Sequence, residues 1–111
     1  MKDVLLHNPR CSKSRGALEL TGERVPVRFY LDDPLTYEEL RELLAILGVR
    51  AIDITRTGEA RFKELGLTGE SDDETLLRAI AGNPILLERP ILVRGGRAVI
   101  GRPPERVSEI L

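Results

Sequence analysis

The sequence predicts a mixed α/β fold in the order β-α-β, a helical stretch of about fifty residues, then β-β-α. Three observations carry that expectation. Two β-prone runs near the N-terminus flank a helix that ends in glycine. A leucine stripe at helical spacing follows, introduced by a capping sequence. Near the C-terminus, two short apolar runs surround a Gly-Gly pair. A parallel β-α-β unit joined to an antiparallel hairpin gives one mixed four-stranded sheet.

Residues 3–7 (Asp-Val-Leu-Leu-His) read as a short strand running into the turn signal Asn8-Pro9. Ser12 to Thr21 read as a helix with Ala17, Leu18 and Leu20 apolar, and Gly22 stops it. Residues 25–30 form the next strand, and Pro26 places it at an edge or a strand start. Thr36-Tyr37-Glu38-Glu39 is a capping box, followed by Leu40, Leu43, Leu44 and Leu47 along one helical face, with Gly48 at the end. A shorter helix covers Glu59 to Leu65. Ser71-Asp72-Asp73-Glu74 reads as a second capping box before Leu76, Leu77 and Ile80, and Gly82-Asn83-Pro84 terminates that helix. The runs Ile91-Leu92-Val93 and Ala98-Val99-Ile100 make a hairpin around Gly95-Gly96. Pro103-Pro104 opens a last helix with Val107, Ile110 and Leu111 on one face. A single domain over 1–111, with a helical insertion at about 36–83, is the expected organisation.

Composition narrows the function classes. The chain has 111 residues, 41% hydrophobic and 32% charged, with one cysteine and one histidine. One of each cannot fill a structural zinc site, and a lone cysteine excludes an internal disulfide framework. No apolar run approaches the ~18 residues of a membrane span, and Met1-Lys2-Asp3 opens no secretory signal, so a cytoplasmic protein without membrane contact is expected. Aromatic residues are only 4%, too few for base-stacking platforms, which argues against nucleic acid. Residues 1–31 carry six Lys/Arg against three acids, 32–74 five against twelve, and 75–111 six against three. Basic ends around an acidic middle suit an electropositive site for a small anion, although charge alone does not separate this from solvated surface.

The chemistry concentrates in His7-Asn8-Pro9-Arg10-Cys11-Ser12-Lys13-Ser14-Arg15. Cys11 falls in the turn between a strand and a helix N-terminus, where unpaired N–H groups and the helix dipole favour a thiolate. Arg10, Lys13 and Arg15 add positive charge, with no acid between Asp3 and Glu19. These features make Cys11 a candidate nucleophile rather than a buried, inert thiol. His7 could support that thiolate or simply close the strand. Ser14 makes a Cys-x-x-Ser pattern without an adjacent resolving thiol, so an oxidised Cys11 must be resolved by another molecule. Ala17 occupies the sixth position after Cys11, so a Cys-x5-Arg phosphate loop is absent. Arg56, Arg89 and Arg102 are further candidates: guanidinium forks suit tetrahedral oxyanions, and Arg89 and Arg102 flank the hairpin.

The residues His7-Asn8-Pro9-x-Cys11-x-x-Ser14-Arg15, Glu64-Leu65-Gly66-Leu67 and Asn83-Pro84-Ile85-Leu86 resemble the glutaredoxin-coupled arsenate reductase family. So do Glu88-Arg89-Pro90-Ile91 and Gly101-Arg102-Pro103-Pro104-Glu105, all in family order over nearly the whole chain. The resemblance implies a thioredoxin-like fold with a helical insertion and a role in arsenic detoxification. It implies Cys11 as nucleophile, His7 as support for its thiolate, and Ser14 and Arg15 in the anion-binding loop. Arg56, Arg89 and Arg102 match the arginines that hold arsenic intermediates, and Pro90 falls where the family has a cis-proline. Arg10, Ser12 and Lys13 stand where well-studied members of the resembled family have smaller or neutral residues, and they raise the positive charge of the loop.

The activity so implied is reduction of arsenate to arsenite, with glutathione as co-substrate, glutaredoxin as partner, no bound cofactor or metal, and a monomeric protein. Two other readings use the same residues. One is a monothiol thiol-disulfide oxidoreductase acting on glutathionylated proteins, which leaves the hairpin arginines without a task. The other is a thioredoxin-fold regulator that binds RNA polymerase, although Ser14 breaks the Cys-x-x-Cys switch of such proteins.

Overall fold

The computed structural model describes all residues, 1–111, which form two compact units: residues 1–33 with 89–111, and residues 34–88.

The first unit is built on a four-stranded sheet. Strand β1 (Val4–His7) leads through a tight turn into helix α1 (Ser12–Thr21), which returns to strand β2 (Val27–Phe29). Strands β3 (Ile91–Arg94) and β4 (Arg97–Ile100) form the hairpin. The order is β2-β1-β3-β4, with β1 and β2 parallel and the other neighbours antiparallel. This is the mixed, thioredoxin-like sheet that the sequence leads one to expect. Pro26 stands just ahead of the edge strand β2, where its missing N–H costs no ladder bond. Leu5 pairs with Val27 on one side and Leu92 on the other. Leu5 and Leu6 point to opposite faces of the sheet and both are fully buried, so β1 lies between two covered faces.

On one face Leu5, Leu92 and Val99 meet Ala17 of α1, Val25 and Val107. Val107 belongs to the closing helix, which is a 3₁₀ turn over Pro104–Glu109 rather than an α-helix. Ile110 and Leu111 still pack on the same core, so the predicted apolar face is used by a shorter, tighter element. Gly95 and Gly96, both at positive φ, make the two-residue hairpin turn, and the Gly95 amide is held by the Asp3 carboxylate at 3.0 Å.

The second unit is helical. Helix α2 (Tyr37–Leu47) is capped by Thr36, whose hydroxyl accepts from the Glu39 amide while the Glu39 carboxylate accepts from the Thr36 amide. Leu40, Leu43 and Leu44 are buried along its apolar stripe, and Gly48 ends it in the left-handed conformation. Helix α3 (Ala60–Glu64) is short and buries Phe62. Helix α4 (Asp73–Gly82) packs against α2 with Leu76, Leu77 and Ile80 buried. Its cap is Asp72, not Ser71: the Asp72 carboxylate accepts the Thr75 amide at 2.8 Å, whereas the Ser71 hydroxyl accepts the Thr68 amide. Two 3₁₀ turns, Ala51–Ile54 and Pro84–Leu86, went unforeseen because one turn of helix leaves no periodicity to read.

Candidate active site

The loop joining β1 to α1 is shaped by its own residues. The Asn8 carbonyl accepts the Cys11 amide at 3.1 Å, closing a turn over Asn8-Pro9-Arg10-Cys11, and the Asn8 side-chain oxygen accepts the Arg10 amide at 3.0 Å. Pro at the second position and Asn at the first suit such a turn. The Arg15 guanidinium donates to the Pro9 carbonyl at 2.9 Å, tying the loop to the first turn of α1.

Cys11 is thereby the N-cap residue of α1, in an extended conformation, with its carbonyl accepting the Arg15 amide. It is a free thiol with 9% of its surface exposed. Its side chain makes no cap bond, so the amides of the first turn stay open toward the loop. A helix start ordinarily favours acidic side chains; this one has none, and carries Lys13 and Arg15 instead. Cations at the positive end of a dipole are a local cost that makes sense where an anion is to be held.

Ser14 is fully buried one turn into α1 and ties the loop to the sheet. Its hydroxyl oxygen accepts the Asn8 amide at 2.9 Å and lies 2.7 Å from His7 Nδ1. Ser14, not Cys11, is therefore the hydrogen-bond partner of His7. Burial pushes the imidazole below its ordinary value, the Ser14 hydrogen bond opposes this, and the charge of Arg15 adds to it. His7 is thus favoured as the neutral ring, with Phe29 edge-on at 5.6 Å between centroids.

The hairpin brings the C-terminal part of the chain to the sulfur. Arg102 Nε donates to the Arg89 carbonyl at 2.9 Å, and its Nη2 lies 3.9 Å from Cys11 Sγ. Gly101 makes this approach possible. Its amide donates to the Pro90 carbonyl at 2.9 Å, and a Cβ there would come within 2.8 Å of Pro90 Cγ. The Arg89–Pro90 peptide is cis, and so is Arg102–Pro103.

Of the residues singled out from sequence, the first unit gathers Cys11, His7, Ser14, Arg15, Arg89, Pro90 and Arg102 around one loop and one hairpin end. Arg56 belongs to the 34–88 unit, where its guanidinium faces Glu59 at 3.1 Å and Glu88 at 3.3 Å. Two half-buried carboxylates already balance its charge. The Asn8-Pro9 turn forms as read from sequence; sequence reasoning missed that the Asn8 side chain also holds the Arg10 amide. It also missed the clamp of Arg102 on the Arg89 carbonyl, which no local pattern marks. No three His, Cys, Asp or Glu side chains are grouped as metal ligands, and no helix is long and apolar enough to cross a membrane.

Comparison with known proteins places these residues in a family context. Residues 6–110 match the model of the ArsC family. The chain is 46% identical to an arsenate reductase of Neisseria meningitidis serogroup A, over 96% of both chains. It is 47% identical to the uncharacterized protein YfgD of Escherichia coli, over 96% of this chain and 94% of that one. Among solved structures, an arsenate reductase from Vibrio cholerae superposes with a TM-score of 0.91 at 43% identity, covering 100% of this chain and 98% of that one.

Proposed function

Because the chain belongs to the ArsC family of arsenate reductases, we propose that it reduces arsenate to arsenite with Cys11 as its single nucleophile and with glutathione and glutaredoxin as reductants. The observation that carries this reading is the Arg102 guanidinium 3.9 Å from a cysteine sulfur at the N-cap of α1. A sulfur so placed has a helix start and a cation beside it, groups suited to hold the oxyanion that it attacks.

In this mechanism the Cys11 thiolate attacks arsenic and displaces one hydroxyl, which leaves as water after protonation. Arsenic stays pentavalent in that exchange. The glutathione thiol replaces a second hydroxyl in the same way. The glutaredoxin thiolate then attacks the glutathione sulfur; the S–As bond breaks with its electron pair passing to arsenic, which becomes trivalent. A mixed disulfide leaves, and water releases arsenite from Cys11. The lone cysteine fits this division of labour, since no second thiol of the chain could resolve the adduct.

Ser14 and Arg15 shape the loop that receives the anion, while Arg89 and Arg102 close it from the hairpin side. His7 acts through Ser14 to hold that loop. Arg56 completes the set as a third arginine toward the arsenic intermediates. On this reading the 34–88 unit is an insertion carried by a single thioredoxin-like domain, working as a cytoplasmic monomer without a bound cofactor.

The test is a coupled assay with arsenate, glutathione, glutaredoxin and an NADPH-driven recycling system, run on the purified protein and on Cys11→Ser. Arsenate-dependent NADPH oxidation by the former and none by the latter is expected. No oxidation by the wild type, or equal oxidation by the variant, would overturn the reading.

A further inference from the structure

Beside the β1–α1 loop, on the side of β2, the first unit has a cavity of about 280 Å³. Its floor includes buried His7, and its apolar wall is Pro9, Phe29 and Leu31, with Phe29 unusually exposed for its size at 47%. Two opposite charges stand on its rim, Arg10 and Asp32. Neither side chain has an ionic partner, in contrast to the neighbouring Asp33, which is paired with Arg28 at 3.3 Å. The turn that follows β2 fixes this division: the Phe29 carbonyl accepts the amides of both Asp32 and Asp33, while only Asp33 is claimed by Arg28.

An unpaired cation and an unpaired anion on one small apolar-walled cavity match the zwitterionic head of an α-amino acid. We propose that this cavity seats the γ-glutamyl end of glutathione, with Asp32 receiving its ammonium group and Arg10 its α-carboxylate. The inference rests on the glutathione-dependent reading above and adds where the reductant docks. Position supports it. Arg10 is bonded directly to Cys11, whereas the γ-glutamyl head lies about two residue-lengths (~7 Å) from its own thiol. A seat beside the nucleophile, rather than on it, lets the thiol reach the arsenic adduct while the head is held. The methylene chain of the γ-glutamyl group then packs against Pro9, Phe29 and Leu31. Charge-assisted bonds at both ends of the zwitterion give orientation as well as affinity. Arg10 thereby gains a task apart from the oxyanion.

Two unreactive probes test the seat in the full-length protein by calorimetric titration: S-methylglutathione, and S-methyl-cysteinylglycine, which lacks the γ-glutamyl group. The wild type is expected to prefer the first by about tenfold, the value of one good charge-assisted contact. Asp32→Asn and Arg10→Gln, both exposed and free of side-chain partners, should each bring that preference close to one. In turnover, Asp32→Asn should raise the KM for glutathione about tenfold. No preference in the wild type, or an undiminished one in both variants, would overturn the proposal. A preference present in the wild type and lost in the variants, but without arsenate turnover, would uphold the seat and remove the arsenate reading. Turnover with an unmoved glutathione KM in Asp32→Asn would remove the seat alone.

Discussion

Arg102 Nη2 stands 3.9 Å from Cys11 Sγ although 91 positions separate the two residues. The contact exists because the same guanidinium is anchored through Nε to the Arg89 carbonyl, so that one planar group spans the hairpin entry and the sulfur. A single-point ammonium cannot make both contacts.

Arg102→Lys is therefore expected to keep the charge and lose the function. The kcat/KM for arsenate should fall about 10- to 100-fold, corresponding to one or two charge-assisted contacts. The melting temperature should change little, since Arg102 is half-buried at the rim of the site. A coupled assay beside a thermal melt separates the two quantities.

Ser14→Ala should cost stability as well as activity. Removing the hydroxyl leaves the Asn8 amide and the buried His7 ring without their partner. Each unsatisfied buried group costs about 1–3 kcal/mol, so a loss of roughly 2–6 kcal/mol is expected in urea unfolding, with an unchanged m-value.

His7 gives the fold a pH dependence of definite sign. Burial holds its folded-state value below the ordinary 6.5, so the unfolded chain binds the proton more readily. The stability contributed by neutral His7 is complete above pH 6.5 and is lost as pH falls through that value toward the lowered one, levelling off beneath it. As the chain has one histidine, its ring-proton NMR titration is a single resolved curve, expected with a midpoint below 6.5. A midpoint above 6.5 would show that the ring is held in its charged form instead.

Gly101→Ala should disturb the site without touching a charged residue. The added Cβ would come within 2.8 Å of Pro90 Cγ and 3.2 Å of Val107 Cγ1, and a proline ring has little room to yield. A loss of about 1–3 kcal/mol is expected, with a fall in kcat/KM as Arg102 is displaced from Cys11. Chemical denaturation and the coupled assay check the pair of effects.

Local signals made much of this molecule legible. The Thr36 capping box, the leucine stripe of α2 and the Gly95-Gly96 hairpin each depend on residues within one turn of one another, and all three form as read. At α4 the same reasoning chose Ser71 where Asp72 caps. Adjacent polar residues compete for one amide, and the chain direction entering the helix decides between them. Cys11 was legible because strand, turn and helix follow in immediate succession. Its surroundings were less so. The bond between His7 and Ser14 forms because a strand end and a helix turn meet across a loop, and the clamp of Arg102 on Arg89 forms because a hairpin closes. Arg56 shows the same: its partner Glu88 stands 32 positions away, and no local pattern links the two. Such pairings follow from topology, which a motif does not contain.

The first unit is assembled from two segments far apart in sequence, residues 1–33 and 89–111. During synthesis the thiol leaves the ribosome 91 residues ahead of Arg102. No nascent or prematurely terminated product ending before Gly101 can present the sulfur together with its guanidinium. A product cut short ahead of the hairpin therefore carries only an isolated cysteine.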